Sequence, residues 1–468
     1  MTDENMIEFR VGLQWLLTMV ALCLCRGEAL GGTFGTAYWV WQRDSLSRAE
    51  PAELERLGVK TLYWQVGELT DNGTQWIWTG LIGPVAAGIN LRVVPVIRLV
   101  SASHSPFTGD SVQQLLQMLP PEANSAGELQ IDFDCPDRLL GEYAAALKQL
   151  HRIIPHLSAT ALAGWSQSPV WLQLQSSVDE LFPMFYDLQA DPPVGVGSPP
   201  LPLLDPVRVA RQLAEWRACK IPWQAGLPTF ARVTFYDAAG RSLGHLPNWT
   251  WDDLCFDPVL MTLGSTQEGI TLFRAAQAGI LENAALPEGE TVAVRWPDRE
   301  ALRETVDAAK EAGAGGVVFF RLPDMNDSSG WSVSQITHLQ ATPQLSALKS
   351  GSDSVELANA SDGDLAPRLS GTAALDRGYA LELDAPGPIF REALEGDFWR
   401  VTGHVDPDTR PRPVPIPLAT RLTFWFSHLR AHESLHTGLI QLAPGANLEQ
   451  VRYRIIPGST ETEWRSIR

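Results

Sequence analysis

The stretch Glu128–Pro136, reading ELQIDFDCP, constrains this chain more than any other. Side chains on an extended strand alternate between its two faces, so Gln130, Asp132 and Asp134 share one side while Ile131, Phe133 and Cys135 share the other. Two unpaired carboxylates are too costly to bury, and they must face water, a cation or a substrate. Pro136 and Asp137 follow at once. Leu140, Tyr143, Leu147, Leu150 and Ile154 then recur at spacings of three and four, the period of a helix. Strand, short turn and helix make one βα unit. In a barrel of such units, polar residues at the carboxyl end of a strand belong to the reactive face, whereas polar residues at the other end serve stability.

The same rhythm runs from Thr36 to Pro323. Strand-like segments are Ala37–Gln42, Val59–Glu68, Leu91–Val100, the acidic stretch, His156–Trp165, Glu180–Gln189, Ile221–Leu227 and Gly316–Leu322, and most are followed by a helical pattern. Beyond the seventh lies an excursion of about sixty residues, too long for a simple connection and so functional or a small subdomain. Alternation of this kind predicts a parallel sheet, and eight strands predict closure. No G-x-G-x-x-G turn or P-loop supports an open doubly wound sheet. The expected fold class is α/β: a (β/α)8 barrel over residues 36–330, a Ser-rich linker over 331–354, and a β-sandwich-like domain over 355–468, where short alternating runs are separated by Pro and Gly.

At the amino terminus, Val11–Cys25 is a short apolar run between Arg10 and Gly27-Glu28-Ala29. It reads as a signal peptide over residues 1–29, cleaved near Ala29, and implies export to the periplasm or the medium. Acidic Asp3, Glu4 and Glu8 are unusual there, and leave a start at Met6 or an uncleaved membrane anchor as alternatives. No other run approaches the roughly 20 apolar residues of a membrane span. The net charge of −18 repels nucleic acid and anionic lipid, so neither is an expected partner. Past residue 29 only Cys135, Cys219 and Cys255 remain, with no CxxC or Cys/His cluster, and no metal or other cofactor is expected. His428, His432 and His436 lie four residues apart and would share a face only on a helix.

Four segments, AYWVWQR, LYWQVGEL, LQIDFDCP and GVVFFRLP, together resemble a bacterial domain-of-unknown-function family of exported, glycoside-hydrolase-like (β/α)8 barrels. More distantly, two strand ends resemble those of family 18 chitinases, whose fourth strand reads D-x-x-D-x-D-x-E and whose sixth ends in M-x-Y-D. Asp132 and Asp134 match the second and third carboxylates of the first motif; Met184, Tyr186 and Asp187 match the second. The resemblance implies that Asp134 and Asp187, with Tyr186, cradle an acetamido group. Pro136 stands where that family has its proton-donating Glu, so the resemblance supplies no general acid.

Independently of any family, hydrolysis of a glycoside needs one carboxyl to protonate the leaving oxygen and a second carboxylate, or the substrate's own amide, to meet the cationic centre. Asp132, Asp134, Tyr186 and Asp187 are the expected catalytic set, with Asp134 the acid. Substrate contact is expected from Trp39, Trp41 and Trp165, sugar platforms among 17 tryptophans, and from Glu68, Arg98 and Arg321 at strand ends. An Asp–Arg network in the barrel mouth would account for the same charges structurally. The expected partner is a carbohydrate. Three functions fit the pattern: a glycoside hydrolase, a non-catalytic carbohydrate-binding barrel, or a structural envelope protein.

Overall fold

Eight largely apolar runs form the parallel strands β1 Gly35–Val40, β2 Thr61–Asp71, β3 Arg92–Ser101, β4 Glu128–Phe133, β5 His156–Leu162, β6 Glu180–Met184, β7 Ala225–Pro228 and β8 Gly316–Phe320. Each pairs with the next, and β1 pairs with both β2 and β8, so the sheet closes. The computed structural model describes residues 34–467 except 74, 82–89, 102–105, 120–126, 189–199, 247, 267–268, 325–328, 372–376, 406–411 and 457–462. The signal-peptide reading of residues 1–29 therefore lies outside the described residues.

A closed barrel buries both strand faces, and the alternation seen in ELQIDF sorts the side chains between them. Trp39, Tyr63, Val94, Val96, Phe182 and Val318 fill the interior. Gln130 joins them fully buried: its Oε1 accepts the Trp39 indole N–H at 2.7 Å, and its Nε2 donates to Ser158 at 3.4 Å. Ile131 and Phe133 point outward into the layer between strands and helices, where Tyr143, Leu147 and Leu150 of the helix Leu140–Leu150 meet them. Another outer helix, Pro206–Trp216, begins at Asp205, whose carboxylate accepts the Arg208 backbone N–H. Its far end is fixed by the Trp216 indole, which donates to the Ala163 carbonyl at 2.8 Å.

Several strands end earlier than their apolar runs. β5 stops at Leu162 and Ala163–Gln167 forms a 3-10 turn; β6 stops at Met184, leaving Tyr186 and Asp187 beyond the sheet. Trp76 and Trp78 lie on a strand, Trp76–Leu81, that folds back antiparallel on β2. The excursion after β7 is a subdomain: a five-stranded antiparallel sheet in the order 242–245, 232–236, 291–295, 270–275, 260–265, with the helix Trp251–Phe256 against it.

Within residues 331–354 lie the helix Val333–Thr337 and the strand Leu345–Ser350. The latter opens a set of antiparallel sheets with their own apolar core, including Leu357, Leu381, Phe390, Phe424 and Ile440. This β-rich part is bonded to the rest. Arg377, fully buried, donates to the carbonyls of Cys255, Asp257 and Leu260 in the subdomain at 2.7, 3.0 and 2.9 Å. Trp399 stacks on Phe256 at 4.5 Å, and Arg430 donates to the Asp324 and Gly330 carbonyls just past β8.

Candidate active site

Register carries charge across the barrel mouth. Glu68 on β2 pairs laterally with Arg98 on β3, and Arg98 with Asp132 on β4. Arg98 donates to Glu68 Oε2 at 3.3 Å. From β5, the Thr160 hydroxyl donates to Asp132 Oδ1 at 2.8 Å while accepting the Phe133 backbone N–H at 3.2 Å, which fixes the carboxylate's orientation. One residue past the strand, Asp134 reaches the surface of the mouth. The chain turns sharply there, with Cys135 N–H donating to the Phe133 carbonyl at 2.8 Å.

Opposite, the chain leaving β6 places Tyr186 with its ring stacked on Phe320 at 5.8 Å and edge-on to Phe230 at 6.2 Å. Asp187 has a left-handed backbone, φ 52°, and its N–H donates to the Leu203 carbonyl. Its carboxylate accepts from Arg232, the first residue of the subdomain strand Arg232–Tyr236. Asp132, Asp134, Tyr186 and Asp187 thus line one cleft of about 730 Å³, together with Trp39, Trp41, Arg98 and Trp165.

Crowded acids in such a cleft hold protons more tightly. Burial, and next the like charge of Asp134, push Asp132 up to about 7, against the opposing pull of the Thr160 hydrogen bond and Arg98. Asp134 is raised as well: the surrounding walls contribute most, Arg98 opposes, and Asp187 adds repulsion. Burial and the same three carboxylates drive the Tyr186 phenol well above its ordinary value, so it remains a neutral hydrogen-bonding group. Near neutral pH Asp132 thus holds a proton that an isolated carboxyl would have released.

The other expected contact residues fall in different places. Trp39 is 1% exposed and its N–H is committed to Gln130, so it forms the floor of the cleft. Trp41 is more open, edge-on to Phe320 at 5.4 Å with the Arg98 guanidinium over its ring at 5.8 Å. Trp165, in the turn after β5, is 1% exposed, with its N–H buried and without an acceptor among the described residues. Glu68 touches the site through Arg98. Arg321 lines a neighbouring hollow of about 750 Å³, bounded by Trp41, Phe320 and Trp249. The three histidines share no helical face: His428 is bonded to Ser427 and His432 to Asp362, and His436 ends a strand. Among the described residues, no group of three or more His, Cys, Asp or Glu could hold a metal ion.

Sequence reasoning missed Thr160, Arg208, Gln212, Arg232 and Phe320, all of which line the cleft or, for Phe320, the shared ridge between the two hollows. Phe320 had a signal, its place at the end of the eighth strand. Thr160 had one in the parity of β5. Arg232 depends on how the subdomain docks, and nothing local marks it.

Residues 96–244, from β3 into the subdomain, match the family described as "Domain of unknown function (DUF3142)", so the chain carries that domain. No curated protein matches the sequence. Among solved structures, a chitinase from Chromobacterium violaceum ATCC 12472 is 13% identical over 64% of this chain and 96% of its own, with a TM-score of 0.41. A class V chitinase from Pseudomonas fluorescens Pf-5 is 15% identical over 66% and 98%, at 0.43, and the spore cortex-lytic enzyme SleL of Bacillus megaterium QM B1551 is 15% identical over 62% and 70%, at 0.42. At such scores the likenesses add nothing to the barrel assignment, which strand pairing carries alone.

The raised Asp132 has a consequence for stability. Its folded form binds a proton more tightly than the unfolded chain does, so its contribution is fully present below about pH 4 and is lost as pH rises through about 7. Asp132→Asn removes that loss. The variant is expected to melt above wild type at pH 8, with the difference shrinking through pH 7 and vanishing near pH 4; thermal denaturation across that range measures it.

Proposed function

We propose that the chain is a glycoside-hydrolase-like protein that acts on a glycan in the cleft at the carboxyl end of the barrel. The observation that carries this reading is the convergence of Asp132 and Asp134, both raised above the ordinary carboxyl range by burial, with Asp187 and aromatic rings in one cleft. Asp132 is oriented by Thr160 and lies deeper; Asp134 reaches the cleft surface and is the member that hands its proton to a leaving glycosidic oxygen. Asp187, fixed by Arg232, and the Tyr186 hydroxyl face that acid and position the sugar. The opposite partner in the reaction is the substrate's own amide or water.

One observation favours a second reading. Pro136 has no carboxyl to offer where family 18 chitinases place their donor, and a barrel without that group binds sugar without cleaving it. Asp134→Asn separates the two. If Asp134 transfers the proton, the substitution lowers the rate of reducing-end release from a glycan panel by about 10²–10⁴-fold while leaving binding intact; Asp187→Asn should impair both. Turnover unaffected by either change would refute the catalytic roles, and binding without wild-type turnover would establish the lectin-like reading.

Export belongs to the same proposal, supported by the apolar run Val11–Cys25 and the small residues ending at Ala29. Among the described residues no helix is long and apolar enough to cross a membrane. Amino-terminal sequencing of the chain recovered outside the cytoplasm should begin just after Ala29; an intact amino terminus confined to the cytoplasm would contradict export.

A further inference from the structure

The cleft holds three arginines, and two of them have partners. Arg98 is paired with Glu68 and lies beside Asp132 and Asp134, while Arg232 is paired with Asp187. Arg208 differs. It is half-buried in the cleft wall, and among the described residues no carboxylate or hydrogen-bond acceptor engages its guanidinium. Asp137 lines the same side, exposed and not ion-paired to it.

Two further unmatched groups lie with it. Gln212 is one turn along the helix Pro206–Trp216 from Arg208, and its Oε1 is buried without a donor. The Trp165 N–H is likewise buried without an acceptor among the described residues. The helix face carrying them is docked on the turn Ala163–Gln167: the Trp216 indole bonds the Ala163 carbonyl, and Glu215 accepts from Ser166 at 3.3 Å. Gln212 Oε1 and the Trp165 N–H are sealed within the wall, and the Arg208 guanidinium is the part of it that stays open to the cleft with no partner among the described residues.

We infer that this wall is a subsite for a sugar bearing a negative charge, a carboxylate or a sulfate ester. Arg208, half-buried and open to the cleft, takes the anion through its planar fork. The inference rests on the glycan reading above and narrows it: a cleft arginine with no partner among the described residues favours anionic over neutral glycans.

Calorimetric titration of the mature protein with trigalacturonate, its methyl ester, a sulfated galactan oligosaccharide and chitotriose tests this. At least one anionic oligosaccharide should bind about 10- to 100-fold more tightly than chitotriose, the range expected of a charge-assisted pair, and Arg208→Gln should abolish the preference while Arg208→Lys keeps part of it. The uronate and sulfate arms identify the anion. Equal or tighter binding of chitotriose, with no effect of Arg208→Gln, would overturn the anionic subsite and leave the glycan reading standing. Absence of binding to all four would overturn both. If Arg208→Gln does not fold, the ester decides with wild-type protein: loss of the preference for uronate on esterification supports the subsite, and its persistence refutes it.

Discussion

Two carboxylates two residues apart on an inner face of a closed barrel have only one direction in which to escape burial, the mouth at the end of the strand. Asp132 and Asp134 take it, and the rest of the site is arranged around their repulsion. Arg98 in register on the next strand, and Thr160 from the strand on the other side, offset part of it; what remains appears as a proton held near neutral pH. Below them, Gln130 keeps the same parity but is buried, and the Trp39–Gln130–Ser158 hydrogen bonds satisfy it. One strand face thus changes over five residues from a sealed core to an ionisable site.

The barrel supplies only half of the charge arrangement. Arg232, which fixes Asp187, is the first residue of the subdomain sheet, and Phe230, against which Tyr186 rests, immediately precedes that sheet. That sheet is in turn held by Arg377, whose guanidinium engages three of its neighbours' carbonyls, and by Trp399 on Phe256. Placement of the cleft's far wall therefore depends on the β-rich part of the chain, and the carboxylates on β4 face groups set by residues more than two hundred positions away.

How much of this was legible follows from the range over which each feature is determined. Strand parity is local, so the alternation in ELQIDFDCP and the Tyr186-Asp187 strand end placed four residues that do meet in one cleft. The eight-strand count needed only periodicity. Platform roles for tryptophan were harder to read, because whether a strand-borne ring is floor, wall or core depends on neighbours across the barrel: Trp39 is bonded to Gln130, ninety-one residues away in sequence. Arg321 was assigned by its place at a strand end, yet it opens into the adjoining hollow, since the chain turns away as β8 finishes. Arg208 and Gln212 sit on an ordinary amphipathic helix, and only the docking of that helix on Ala163–Gln167 turns them toward the cleft.

Carbon-13 NMR titration of aspartate carboxyls reads directly the proton that Asp132 holds near neutral pH. Wild type should show an aspartate carboxyl that titrates near pH 7, and in Asp132→Asn that transition should disappear. Every aspartate titrating below about pH 5, as unperturbed carboxyls do, would contradict that assignment.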